Sequence, residues 1–184
     1  KNIYINEVDI GFSLPSTLIV QIYEYNPLYL YHIDGKYITN KSQYKWIPGA
    51  KETIKYFNDN NFYVFVITNQ AGIGKGLIKK KNYIEIENKM QRDLLNIGAH
   101  IDKIYFCPFH EKAKIKKYRK KSFDRKPNPG MILKCLKEFP VIKYGSVFVG
   151  DKITDKDAAK KAGINFLMFK NKNLHNFTKK NINL

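Results

Sequence analysis

The sequence predicts an α/β fold built on a doubly wound parallel sheet, and three observations carry that expectation. Strand-like apolar runs alternate with helical periodicity from residue 48 onward. The run at 62–67 is apolar throughout instead of alternating, which marks a strand covered on both faces, and 146–149 is a further buried run. Each of these runs leads directly into a polar or glycine-containing motif, as expected where strand ends carry the chemistry.

The elements follow in order. Pro48-Gly49 opens a helix to about residue 60, with Ala50, Ile54 and Phe57 on one face. Residues 62–67 form a buried strand, and a glycine-rich loop follows. A longer helix spans about 79–97, with Ile86, Met90, Leu94 and Ile97 at helical spacing. Residues 101–107 are the next strand, and 108–128 a basic, irregular insertion whose 112–126 portion reads mostly as a solvated loop. Helix returns over 129–139, a strand over 146–149, a short alanine-rich helix over 155–162 and a strand over 164–169. The tail from Lys170 is polar and is expected at the periphery.

At 184 residues, 43% of them hydrophobic, the chain suits one folded domain. No apolar run approaches the roughly 20 residues of a membrane-spanning helix. Two cysteines, Cys107 and Cys135, make no disulfide framework and fit a reducing compartment, so a cytoplasmic location is expected. The chain begins at Lys1 without a Met or a signal-peptide pattern, which suits a domain cut from a longer protein. The net charge of +17 comes from 33 basic and 16 acidic residues. Lysine is spread throughout, and no basic stripe with stacking aromatics stands out. The charge therefore points to an anionic small substrate before it points to nucleic acid.

Three motifs carry the chemistry. Thr68-Asn69-Gln70 ends a buried strand and leads into Ala71-Gly72-Ile73-Gly74-Lys75-Gly76. A hydroxyl, an amide and close-approaching backbone N–H groups can cradle a phosphoryl oxygen, with Lys75 reaching a second anionic group. Arg125-Lys126-Pro127 places two cations just before a helix, where Lys126 can neutralise charge on a transferring phosphoryl group. Gly150-Asp151-Lys152-Ile153-Thr154-Asp155 follows a strand, and its two carboxylates suit Mg²⁺; helix capping is the rival role for Asp155. Cys107-Pro108-Phe109-His110 invites a zinc reading, but a buried cysteine at a strand end is simpler, because zinc takes about four ligands.

On these residues the chain resembles the haloacid-dehalogenase superfamily, in the branch containing histidinol-phosphate and D,D-heptose 1,7-bisphosphate phosphatases. The resemblance also includes Tyr44-Lys45-Trp46-Ile47-Pro48-Gly49-Ala50, Gly98-Ala99-His100-Ile101-Asp102 and Arg125-Lys126-Pro127-Asn128-Pro129-Gly130-Met131. It implies a minimally capped fold and a Mg²⁺-dependent phosphatase acting on a small sugar phosphate. Thr68, Lys126 and Asp34 would be catalytic. Asn69, Gln70, Gly72, Lys75 and Arg125 would bind substrate, and Asp151 and Asp155 the metal. It divides the chain into a divergent segment 1–20, the tail of an upstream domain, and a phosphatase domain 21–184. Some relatives are fused behind a sugar-phosphate nucleotidyltransferase, and Val8-Asp9-Ile10-Gly11 is similar to the end of one.

Two departures stand out. The family's nucleophile motif reads Asp-x-Asp-Gly. An ungapped alignment puts Asn26-Pro27-Leu28 there, whereas a gapped one puts His32-Ile33-Asp34-Gly35, which keeps only the second acid. A member that binds a phosphorylated ligand without turning it over is therefore the alternative, since an asparagine cannot attack phosphorus. A third reading is a nucleic-acid 3′-end phosphatase, because a Thr-Asn-Gln and Gly-Ile-Gly run also occurs in that class. The second departure is at the zinc positions. Zinc-bearing relatives read Cys-x-His and then Cys-x-Cys, and only Cys107 matches, so no structural zinc is expected.

Overall fold

The computed structural model of the chain describes residues 39–170 and 172–182 and the backbone of Ser16–Val20. Five strands, β1 (Ser16–Val20), β2 (Tyr63–Asn69), β3 (Lys103–Cys107), β4 (Ile142–Gly150) and β5 (Asn165–Met168), form one sheet in the order β3-β2-β1-β4-β5. Every pairing is parallel. The helices are α1 (Ala50–Asp59), the single turn α2 (Ala71–Gly74), α3 (Lys80–Leu95), α4 (Gly130–Glu138), α5 (Ile153–Ala162) and α6 (Leu174–Asn181).

Strand periodicity sorts the core into two layers. Val64, Val66, Val147 and Val149 face one layer, with Ile54 and Phe57 of α1, Met90 and Leu94 of α3, and Leu174 and Phe177 of α6. Phe65, Ile67 and Phe148 face the other, with Met131, Ile132 and Cys135 of α4 and the alanines 158, 159 and 162 of α5. Small side chains let α5 lie close on the sheet. The doubly wound expectation holds, with strand ends shifted by up to four residues.

Three features differ from the expectations. β1 pairs with both β2 and β4, so the boundary expected at residue 20 falls at the carboxyl end of a strand of this same sheet. β4 starts four residues earlier than expected. Its register steps from Ser16 opposite Ile142 to Leu18 opposite Val147, and Tyr144 in the intervening bulge is 92% exposed. The polar tail is not peripheral. Asn173 caps α6 by accepting from the Asn176 N–H, and Leu174 and Phe177 close the core beside α1. Among the described residues, no helix is long and apolar enough to cross a membrane.

Candidate active site

The order of the strands reverses at β1, which opens a crevice between the carboxyl ends of β1 and β4. Ligands of open α/β sheets bind at such points. Thr68 and Asn69 end β2 on one side of it, and Asp151 follows β4 on the other.

Lys126 reaches this edge from the loop before α4. Its Nζ donates to the Ile67 carbonyl at 2.7 Å and lies 3.1 Å from Asp155 Oδ1. Both charged side chains are fully buried. The Phe148 ring lies under the ammonium, 5.5 Å from it, as an apolar floor that also favours a cation. Burying two charges is expensive unless they are paired and hydrogen-bonded, and here they are both. The backbone of Lys126 is held as well. Its N–H donates to Asn69 Oδ1 at 3.1 Å while Asn69 Nδ2 donates to its carbonyl at 3.1 Å. The end of β2 and the lysine loop are thus locked together, across a cis Lys126–Pro127 peptide.

Asp155 takes the capping role that was the rival to metal binding. Besides pairing with Lys126, it accepts the Lys152 N–H through Oδ2 at 3.0 Å, which caps α5. The side chain has no exposed surface, and this carboxylate serves the lysine and the helix start. Gly150 is needed for that approach, because a Cβ there would lie 2.7 Å from Asp155 Cβ. Asp151, by contrast, is only partly buried at the crevice.

The expected phosphate loop is a helical turn. Gly72, Ile73 and Gly74 of α2 are buried, and the Gly72 carbonyl accepts the Leu77 N–H at 2.9 Å. Gly74 is required for packing: a Cβ would strike the Pro108 carbonyl and crowd Tyr118 and Ala113. Thr68 is buried and its Oγ1 accepts from Gln70 Nε2 at 2.9 Å. The Gln70 N–H is turned to the Cys107 carbonyl at 2.7 Å.

Lys75, at the end of α2, and His110 and Arg125, in the segment that docks on Gly74, make up a basic rim. Burial first, and then the Arg125 and Lys75 charges, hold the His110 imidazole below its ordinary value. Arg125 Nη1 also donates to the Phe109 carbonyl at 3.3 Å. His110 did not emerge as a rim group from the sequence, where it read only as part of a failed zinc pattern. Asp34, His32 and Asn26, on which the nucleophile alignments turn, lie outside the described residues. Two further motifs prove structural. Asp102 Oδ2 accepts the Val64 N–H at 2.6 Å, and Trp46 Nε1 donates to Asp93 Oδ2 at 2.9 Å.

Fold and site together define a doubly wound α/β protein with a buried lysine–aspartate pair, a hydroxyl and a partly exposed carboxylate at its carboxyl edge. The chain belongs to the haloacid dehalogenase-like hydrolase family, whose model matches residues 30–169. It is 36% identical over 143 residues to the D-glycero-β-D-manno-heptose-1,7-bisphosphate 7-phosphatase of Rhodopseudomonas palustris, covering 78% of this chain and 79% of that protein. It is 32% identical over 140 residues to the α-anomer 7-phosphatase of Campylobacter jejuni, covering 76% of each. A crystal structure of a HAD-like phosphatase from Mesorhizobium loti superposes with a TM-score of 0.70 at 26% identity, over 82% of this chain and 69% of that one. The D,D-heptose 1,7-bisphosphate phosphatase of B. bronchiseptica, complexed with magnesium and phosphate, has the same fold, with a TM-score of 0.69 at 23% identity over 91% and 88%.

Proposed function

We propose that this chain is a Mg²⁺-dependent phosphatase of a small sugar phosphate, with a heptose 1,7-bisphosphate as the substrate its relatives' names favour. The observation that carries the reading is the buried Lys126, oriented by Asp155, the Ile67 carbonyl and Asn69 at the switch-point crevice. A fixed, desolvated cation there stabilises charge developing on phosphoryl oxygens more strongly than a solvated one could. The Thr68 hydroxyl offers a neutral donor at the end of β2, and Lys75 and Arg125 offer charge to a second anionic group.

The donor set suits magnesium in part. Asp151 is a carboxylate at the strand end with accessible surface, and Mg²⁺ is held by one or two carboxylates while keeping several waters. Asp151 would hold the ion, which when bound neutralises phosphate charge. Asp34 is the candidate for the remaining acid. A nucleotidyltransferase partner or fusion stays a proposal resting on Val8-Asp9-Ile10-Gly11 alone.

A second reading rests on one observation: no Asp-x-Asp-Gly occurs anywhere in the chain. Such a protein binds a phosphorylated ligand without hydrolysing it. Phosphate release from a sugar-phosphate panel with Mg²⁺, compared between the parent and Asp151→Asn, separates the two. Release abolished by the substitution supports the enzyme. No release from folded protein that still binds inorganic phosphate supports the binding protein.

A further inference from the structure

The segment between β3 and α4 is where some relatives carry zinc by resemblance, and the residues of this chain do not fit that ion. Cys107 is the one cysteine in or next to the segment, is 1% exposed, and burial pushes its thiol above the ordinary value. Phe109 stands at the histidine position. Cys135 is fully buried on α4. Among the described residues, no group of three or more histidine, cysteine, aspartate or glutamate side chains could hold a metal.

The segment is nevertheless tied down, and Arg119 is at the centre of the ties. Its Nε donates to the Ala113 carbonyl at 2.7 Å and its Nη2 to the Lys114 carbonyl at 3.0 Å. Ala113 is 2% exposed against Gly74. The Ile115 N–H donates to the Gly74 carbonyl at 3.0 Å and the His110 N–H to the Tyr118 carbonyl at 3.0 Å. Tyr118 packs edge-on against Phe109 at 5.8 Å, and Lys120 Nζ lies over the Phe109 ring at 4.5 Å. Here an aromatic contact occupies the place of a ligand. The Phe109 carbonyl then receives Arg125.

We propose that Arg119 is a positioning residue that closes this loop in place of a metal and so holds His110 and Arg125 at the rim beside Lys75. One planar edge of the guanidinium spans two successive carbonyls, a geometry that the point charge of a lysine cannot reproduce. The loop closes on itself around Ala113 and docks on Gly74, and the rim cations follow because Phe109 and His110 are part of the same closed loop. The substrate group that feels this is the anion distal to the reacting phosphate. That part of the inference rests on the proposed phosphatase reading.

The test uses the whole chain with Arg119→Ala, Arg119→Lys and, as a control, Lys114→Ala, which keeps the accepting carbonyl. Hydrogen exchange is read over 110–118, with 63–69 and 80–95 as internal references. Two charge-assisted hydrogen bonds lost at a mostly exposed site predict exchange roughly three- to ten-fold faster over 110–118 in both arginine variants. The reference segments and the control should match the parent. In steady state, KM for heptose 1,7-bisphosphate should rise several-fold while kcat stays within about two-fold, the mark of lost uniform binding. Unchanged exchange in Arg119→Ala, or parental behaviour of Arg119→Lys, overturns the proposal. So does one zinc per purified chain whose removal speeds exchange over 110–118. If no variant and no parent turns over substrate, the phosphatase reading fails and the exchange result still decides the role of Arg119.

Discussion

Lys126 Nζ sits 3.1 Å from Asp155 Oδ1 with neither side chain reaching solvent. Removing one member strands the other as an uncompensated buried charge, which costs about 3–5 kcal/mol. Asp155→Asn and Lys126→Met should each lose stability on that scale in urea unfolding. The double variant should lose clearly less than their sum, because it leaves no orphan charge. Both single variants should also lose turnover.

Asp151 behaves differently because it lies at the crevice and is not sealed in the core. Asp151→Asn should leave the unfolding free energy in urea within about 1 kcal/mol of the parent. Mg²⁺-dependent phosphate release should fall to background in the same preparation. A substantial loss of stability would instead mean that Asp151 is part of the packing.

Gly150 lies directly against Asp155. Ala at 150 would place a Cβ 2.7 Å from Asp155 Cβ and 2.8 Å from its Oδ2. These atoms belong to a short, buried, ion-paired side chain that cannot swing away cheaply. Gly150→Ala should therefore cost about 1–3 kcal/mol by overpacking, and it should depress turnover by moving Lys126. Urea unfolding and initial rates on one preparation check both.

The single tryptophan reports on acid behaviour. Burial alone would raise the Asp93 carboxyl, but hydrogen bonds from Lys89 and Trp46 hold it below the usual carboxylate range. A depressed carboxylate contributes stability that is fully present above its unfolded value of about 3.9 and is lost as pH falls through the lower folded value. Trp46 fluorescence should change only below the ordinary aspartate range. The same change should be absent in Asp93→Asn.

Much of the fold was legible because it depends on local pattern. Val64 to Ile67 are apolar without a break because the sheet is covered on both faces, and Ala50, Ile54 and Phe57 share a face as helical spacing requires. Thr68 and Asp151 were legible from their places at strand ends, and Lys126 from its place just before a helix. Other features depend on partners far away in the chain. Asp155 reads equally as ligand or cap until Lys126 arrives from another loop. Arg119 is hidden among lysines, since only its geometry distinguishes it. Leu174 and Phe177 lie among asparagine and lysine, which masks the amphipathic face of α6.

The strand order also sets a timetable for synthesis. β1 is the central strand, yet Leu18 pairs with Val64 on one side and with Val147 on the other. As the chain leaves the ribosome, β1, β2 and β3 can associate early, leaving one edge of β1 open until β4 is made. That edge offers unpaired backbone groups to any other nascent strand. Parallel pairings across such long separations also form slowly. Conditions that slow translation of the last third should therefore increase aggregation of this protein more than an equal slowing near its start.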